Sequence, residues 1–139
     1  MARKVSEVMT PAPVAVPPQC SLVQAAEQMR RHGIGDVLVA EDDRLCGLVT
    51  DRDIVVRAVA AGRDMAATPV SEVCSPELVT LTPADDAETA VRLMREHAVR
   101  RIPVVDGDRP VGMVSLGDLA LERNEHSVLA DISAQPPTT

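Results

Sequence analysis

The stretch Val5-Ser6-Glu7-Val8 recurs as Val70-Ser71-Glu72-Val73, 65 residues further along the chain. The same offset carries Pro11 onto Pro76, Val14 onto Val79 and Pro18 onto Pro83. It continues through Ala25 and Ala90, Met29 and Met94, and His32 and His97. It runs on through Val39 and Val104, Arg44 and Arg109, Gly47 and Gly112, and Val49 and Val114, to Asp53 and Asp118. A gapless register of this length marks a duplication. The chain reads as a first repeat over 1–64, a connector over 65–69, a second repeat over 70–124 and a C-terminal tail over 125–139, polar from Gln135 to Thr139.

Each repeat spells the same elements. A short strand comes first, Val14 to Val16 and Val79 to Leu81. Ser21 with Gln24, and Asp85 with Glu88, then have capping-box spacing ahead of an apolar helical stripe. The stripes are Leu22, Ala25, Ala26 and Met29, and Ala87, Ala90, Val91 and Met94. Gly33 suits the left-handed residue that stops the first helix, whereas Ala98 in its place predicts a blunter stop. Val37-Leu38-Val39 and Ile102-Pro103-Val104-Val105 read as buried strands. Asp42-Asp43 and Asp106-Gly107-Asp108 turn the chain into partner strands, Leu45 to Thr50 and Val111 to Ser115. A second helix follows each, Asp53 to Ala61 before Gly62, and Asp118 onward through Leu121. One repeat alone is too small to hide its apolar surface. The fold class is therefore α/β, two β-α-β-β-α repeats packed sheet to sheet around a pseudo-two-fold axis, with related clefts between them.

Composition bounds what such a fold does. No Phe, Tyr or Trp occurs among 139 residues, so the core is aliphatic and no base-stacking platform exists. A net charge of −7 repels a polyanion, which argues against nucleic acid as a partner. Cys20, Cys46 and Cys74 are odd in number and form no C-x-x-C pair, the pattern of reduced thiols in a cytoplasmic protein. No run approaches the ~20 apolar residues of a membrane span, and Met1-Ala2-Arg3-Lys4 leads into no apolar stretch. His32, His97 and His126 have no metal-ligand spacing, so neither a metal site nor a catalytic one is expected.

The chemistry concentrates in Gly47-Leu48-Val49-Thr50-Asp51-Arg52-Asp53 and Gly112-Met113-Val114-Ser115-Leu116-Gly117-Asp118. Both fit glycine, two apolar residues, a hydroxyl residue and an aspartate three further on. Glycine lets the strand backbone be approached closely. A Ser or Thr hydroxyl can bond a ribose or phosphate, and an Asp at a helix start can accept from vicinal hydroxyls. The bland reading has equal standing at this point, since Asp53 and Asp118 are also good N-caps. Arg100 and Arg101 are a solvated basic pair or a phosphate contact.

With the opening V-S-E-V-M-T-P and the run Arg100 to Asp106, these motifs closely resemble the CBS-domain family, over nearly the whole chain. The resemblance implies a tandem pair of regulatory modules that binds AMP, ADP or ATP, with S-adenosylmethionine and NAD ranking behind. It implies ribose contacts at Thr50 and Asp53, and at Ser115 and Asp118. The adenine edge would be read near Val14, Val16 and Val37, and phosphates by Arg100 and Arg101. Relatives cross the two repeats, so a nucleotide at Asp53 would meet the arginines and one at Asp118 would meet Gly35 and Asp36. The Asp53 site is expected to bind and the Asp118 site to be weak. The resemblance further implies a homodimer formed through the helices after each motif and a protein partner regulated in trans. The alternative is a ligand-free dimeric scaffold of the stress-response kind, and a weaker one a redox or metal sensor built on the cysteines.

Overall fold

A computed structural model describes residues 3–75 and 78–123. The element order is α1 (Val5–Val8), β1 (Thr10–Pro11), β2 (Ala15–Val16), α2 (Leu22–His32), β3 (Asp36–Glu41), β4 (Arg44–Thr50), α3 (Asp51–Asp53), α4 (Ala87–His97), β5 (Arg101–Asp106), β6 (Arg109–Ser115) and α5 (Leu116–Arg123). Helix α3 runs on into a wider π-helical stretch, Ile54–Val59, and a 3₁₀ turn spans Val70–Glu72. The expected tail, His126 and Pro76 lie outside the described residues. Two compact units result, one of Val14–Leu78 and the other of the segment through Pro13 with the chain from Val79 onward.

In the first-named unit the sheet order is β2-β3-β4, β2 parallel and β4 antiparallel to β3. Its core gathers Val16, Leu22, Ala25, Met29, Val37, Val39, Val49 and Ala58 with Val70 and Val73 from the 3₁₀ turn and the residue after it. Ala26 of the expected stripe is exposed. Ser21 caps α2 reciprocally with Gln24, and Gly33 ends it at φ 64°, ψ 38°. Asp42 and Asp43 both take positive φ, 52° and 62°, as a two-residue hairpin turn requires.

The other unit has the order β1-β6-β5 and a core of Val5, Leu81, Ala87, Ala90, Met94, Ile102, Val104, Val114 and Leu119. Three expectations change here. The strand expected at Val79 to Leu81 reduces to a single parallel bridge from Leu81 to Val104. The cause is Pro103: its counterpart Leu38 donates its N–H to the Val14 carbonyl at 2.9 Å, and proline has none to donate. The cap of α4 is Asp86 rather than Asp85, and its side chain makes no cap bond. Asp85 instead accepts from the Thr82 N–H at 2.8 Å, and Asp86 Oδ1 accepts from Lys4 Nζ at 3.0 Å. Finally, Ala98 stops α4 as sharply as Gly33 stops α2, at φ 53° and ψ 42°.

The opening segments of the repeats take matching positions. Thr10 and Pro11 of β1 pair with Met113 and Gly112 of β6. Ser75, the counterpart of Thr10, bridges Leu48, the counterpart of Met113, through bonds of 2.9 and 3.2 Å. Each unit thus holds the opening segment of one repeat and the body of the other.

Candidate functional site

Both hairpins carry a β-bulge at the same place, with Cys46 and Val111 as the extra residues just before the motif glycines. A side chain at Gly47 would lie 2.9 Å from the Ser75 carbonyl and 3.0 Å from Cys74 Sγ. One at Gly112 would collide with the Met9 sulfur and stand 3.1 Å from the Thr10 carbonyl. The glycines therefore make room for the opening segments. Strand β4 ends at Thr50 and β6 at Ser115, where the chain enters a helix.

The entry is built the same way twice. The Thr50 N–H donates to Asp53 Oδ2 at 2.9 Å, and the Asp53 N–H donates to Thr50 Oγ1 at 3.0 Å. The Ser115 N–H donates to Asp118 Oδ2 at 2.9 Å, and the Asp118 N–H to Ser115 Oγ at 3.1 Å. These are reciprocal capping boxes in which Thr50 and Ser115 stand at the N-cap and the aspartates three residues on close the box. Asp53 and Asp118 are thus not the N-caps expected of them, and the helices start at Asp51 and Leu116. One carboxylate oxygen is engaged in each, which fixes the rotamer. Asp53 Oδ1 faces Arg57 Nε at 3.8 Å, and Arg57 Nη1 donates to the Val73 carbonyl at 3.2 Å.

The sheet of the Val14–Leu78 unit brings Val14, Val37 and Thr50 to one end. Leu38 bonds the Val14 carbonyl, Val37 pairs with Val49, and Asp36 pairs with Thr50. The Val16 and Val37 side chains belong to the core, and the Val14 carbonyl already accepts a bond. A cavity of about 590 Å³ along β2 is lined by Ala15, Val16, Pro17, Cys20, Gln24 and Glu27, away from Thr50 and Asp53. In the other unit Arg101 pairs with Ser115, and the Arg100 carbonyl accepts from the Leu116 N–H at 2.8 Å, so Arg100, Arg101, Ser115 and Asp118 share one end of that sheet. The matching bond runs from the Asp51 N–H to the Gly35 carbonyl at 2.9 Å.

Sequence reasoning missed Arg57, although its i+4 spacing from Asp53 was a usable signal. Its second partner, Val73, lies too far along the chain to be read from spacing. The three thiols are unpaired. Burial pushes the Cys20 thiol up. Burial also pushes Cys74 up, with Cys46 and Asp53 adding to the rise, and its backbone hydrogen bond and Arg57 opposing it. Among the described residues no group of three or more His, Cys, Asp or Glu could hold a metal ion. Among them, too, no helix is long and apolar enough to cross a membrane.

The CBS-domain YhcV protein of Bacillus subtilis is 44% identical over 135 residues, covering 94% of this chain and 96% of that protein. Hypoxic response protein 1 of Mycobacterium tuberculosis is 36% identical over 115 residues, covering 82% and 80%. A solved structure, a CBS domain protein from Pyrobaculum aerophilum complexed with AMP, is 27% identical with a TM-score of 0.78, covering 87% of this chain and 93% of that one. The family model for the CBS domain matches twice, over residues 5–59 and 70–125. With the doubled sheet-and-helix units and the doubled hydroxyl–aspartate entry, these matches establish that the chain belongs to the CBS-domain family.

Proposed function

We propose that the chain is a regulatory module, not an enzyme, that binds an adenosine nucleotide of the AMP, ADP or ATP class and acts in the cytoplasm on a protein partner. The observation that carries this reading is the reciprocal bonding at Thr50 and Asp53. It orients a carboxylate whose second oxygen, 3.8 Å from Arg57 Nε, can accept from a ribose hydroxyl, and it leaves the threonine hydroxyl hydrogen to donate. Arg100 and Arg101 supply planar, permanently charged groups for a phosphate. AMP in the Pyrobaculum aerophilum relative supports the ligand class.

The test is AMP titration of purified protein by calorimetry. Asp53→Ala and Arg101→Ala should each weaken binding roughly ten- to a hundredfold, the loss of one charge-assisted contact. Asp118→Ala should bind close to wild type. If Asp118→Ala is the variant that fails, the ranking of the motifs is wrong. If AMP, ADP, ATP, S-adenosylmethionine and NAD all leave the melt unmoved at millimolar levels, the nucleotide reading falls.

A second reading, a ligand-free dimeric scaffold, is favoured by the same bonds in their other role, since both aspartates accept a backbone bond within a capping box. An ultraviolet spectrum separates the two. With no Trp or Tyr the protein is nearly transparent at 280 nm, so a co-purified adenine would dominate the spectrum near 260 nm.

A further inference from the structure

Several ties hold the 70–75 segment to its unit, among them the Val70 and Ser71 N–H groups donating to the Cys20 and Pro18 carbonyls at 2.8 and 3.1 Å. Val70 and Val73 are fully buried in the core. Ser75 exchanges both backbone bonds with Leu48. Arg63 pairs with Glu72, and Arg57 donates to the Val73 carbonyl. Of these groups only Arg57 also reaches the motif aspartate, through Nε at 3.8 Å from Asp53 Oδ1. The π-helical winding of Ile54–Val59, in which the Ala60 N–H reaches the Val55 carbonyl at 3.0 Å, is the setting from which Arg57 spans both partners.

We infer that Arg57 is a positioning residue that makes the 70–75 segment report the occupancy of Asp53. The inference rests on the ribose reading of Asp53 given above. A ribose hydroxyl that donates to Asp53 Oδ1 competes with the guanidinium for that oxygen. Arg57 then loses one of its two anchors, and its hold on the Val73 carbonyl slackens. The segment that leads into the second repeat's body is thereby loosened by a ligand that need not touch it.

Hydrogen exchange on the full chain tests this, with AMP as the probe. In the free protein Arg57→Ala and Asp53→Ala should both speed exchange at the Cys74 and Ser75 amides two- to fivefold, the scale of one partly exposed ion pair. Arg57→Lys, which keeps the charge but lacks the fork to span both partners, should match Arg57→Ala. Saturating AMP should speed the same amides in wild type and leave them unchanged in Arg57→Ala, while calorimetry shows that Arg57→Ala still binds. Unchanged exchange in either free alanine variant overturns the tie. AMP that binds wild type but slows or leaves these amides unaltered overturns the reporting role. AMP that binds no form at all overturns the ribose reading and with it the reporting role, while the free-protein arm still judges the tie.

Discussion

At the scale of single residues, two helices end on the same left-handed turn with different residues in it. Gly33 takes φ 64° without strain, and Ala98 takes φ 53° with its Cβ crowding the backbone. Ala98→Gly should raise stability by about 1 kcal/mol, because the relieved strain exceeds the added freedom of the unfolded chain. Gly33→Ala should lower it by about as much. Thermal melts followed by circular dichroism read both, and an Ala98→Gly protein less stable than wild type would contradict the strain. The thiols give a pH dependence of definite sign. Burial raises Cys20 and Cys74, so the folded state holds their protons after the unfolded state has released them. Their neutral forms favour folding fully below the unfolded thiol pKa of about 8.5, and that advantage is lost as pH rises above it. A Cys20→Ala, Cys74→Ala protein should therefore lose less stability between pH 8 and 10 than wild type. A steeper loss in the double variant would contradict the sign.

At the scale of elements, most strands and helices were legible because repeat and period agreed. Two copies of the same alternation fixed β3 to β6, and capping signals fixed α2. Two features escaped for identifiable reasons. Capping-box spacing at Asp85 and Glu88 competed with the repeat offset, which places Asp86 opposite Ser21, and the cap follows the offset, with Asp86 paired to Lys4. The exchange of opening segments leaves no periodic trace, since Val5 and Val70 look the same wherever they pack. Val5 is fully buried in the unit formed with the chain from Val79, and its N–H reaches the Asp85 carbonyl at 2.8 Å. Ser6 bonds the Pro83 carbonyl at 3.1 Å, and Met9 lies over Gly112. Deleting residues 3–11 should thus remove hydrogen-exchange protection from the β5–β6 hairpin and leave β3–β4 protected. Loss of Val5 burial alone costs about 1.5–3 kcal/mol, a large part of a small unit's stability. Equal loss in both hairpins would show that the segment does not serve one unit in particular.

At the scale of the whole chain, the site's hydroxyl–aspartate pairs were legible from their spacing, but which apolar helix positions stay uncovered was not. Ala58 and Leu119, in the helical stretches after the two motifs, are buried in the two cores. The exposed stripe is Val55, Val56 and Val59, at 57%, 51% and 55% exposure, with Leu116 and Leu121 exposed after the second motif. Three valines in five positions of one helical stretch are more than scattered surface apolar residues require. Each core is wholly aliphatic and small, so covering this stripe adds burial that neither unit supplies alone. The homodimer that the family resemblance implies would give each stripe a partner of the same apolar character. Light scattering at micromolar concentration should give twice the chain mass of 14.8 kDa. Val55→Lys, which places a charge in the stripe and touches neither core cluster, should return the protein to 14.8 kDa with its circular dichroism unchanged. A wild-type chain that scatters as a monomer overturns the dimer, and a Val55→Lys dimer moves its interface away from this helix.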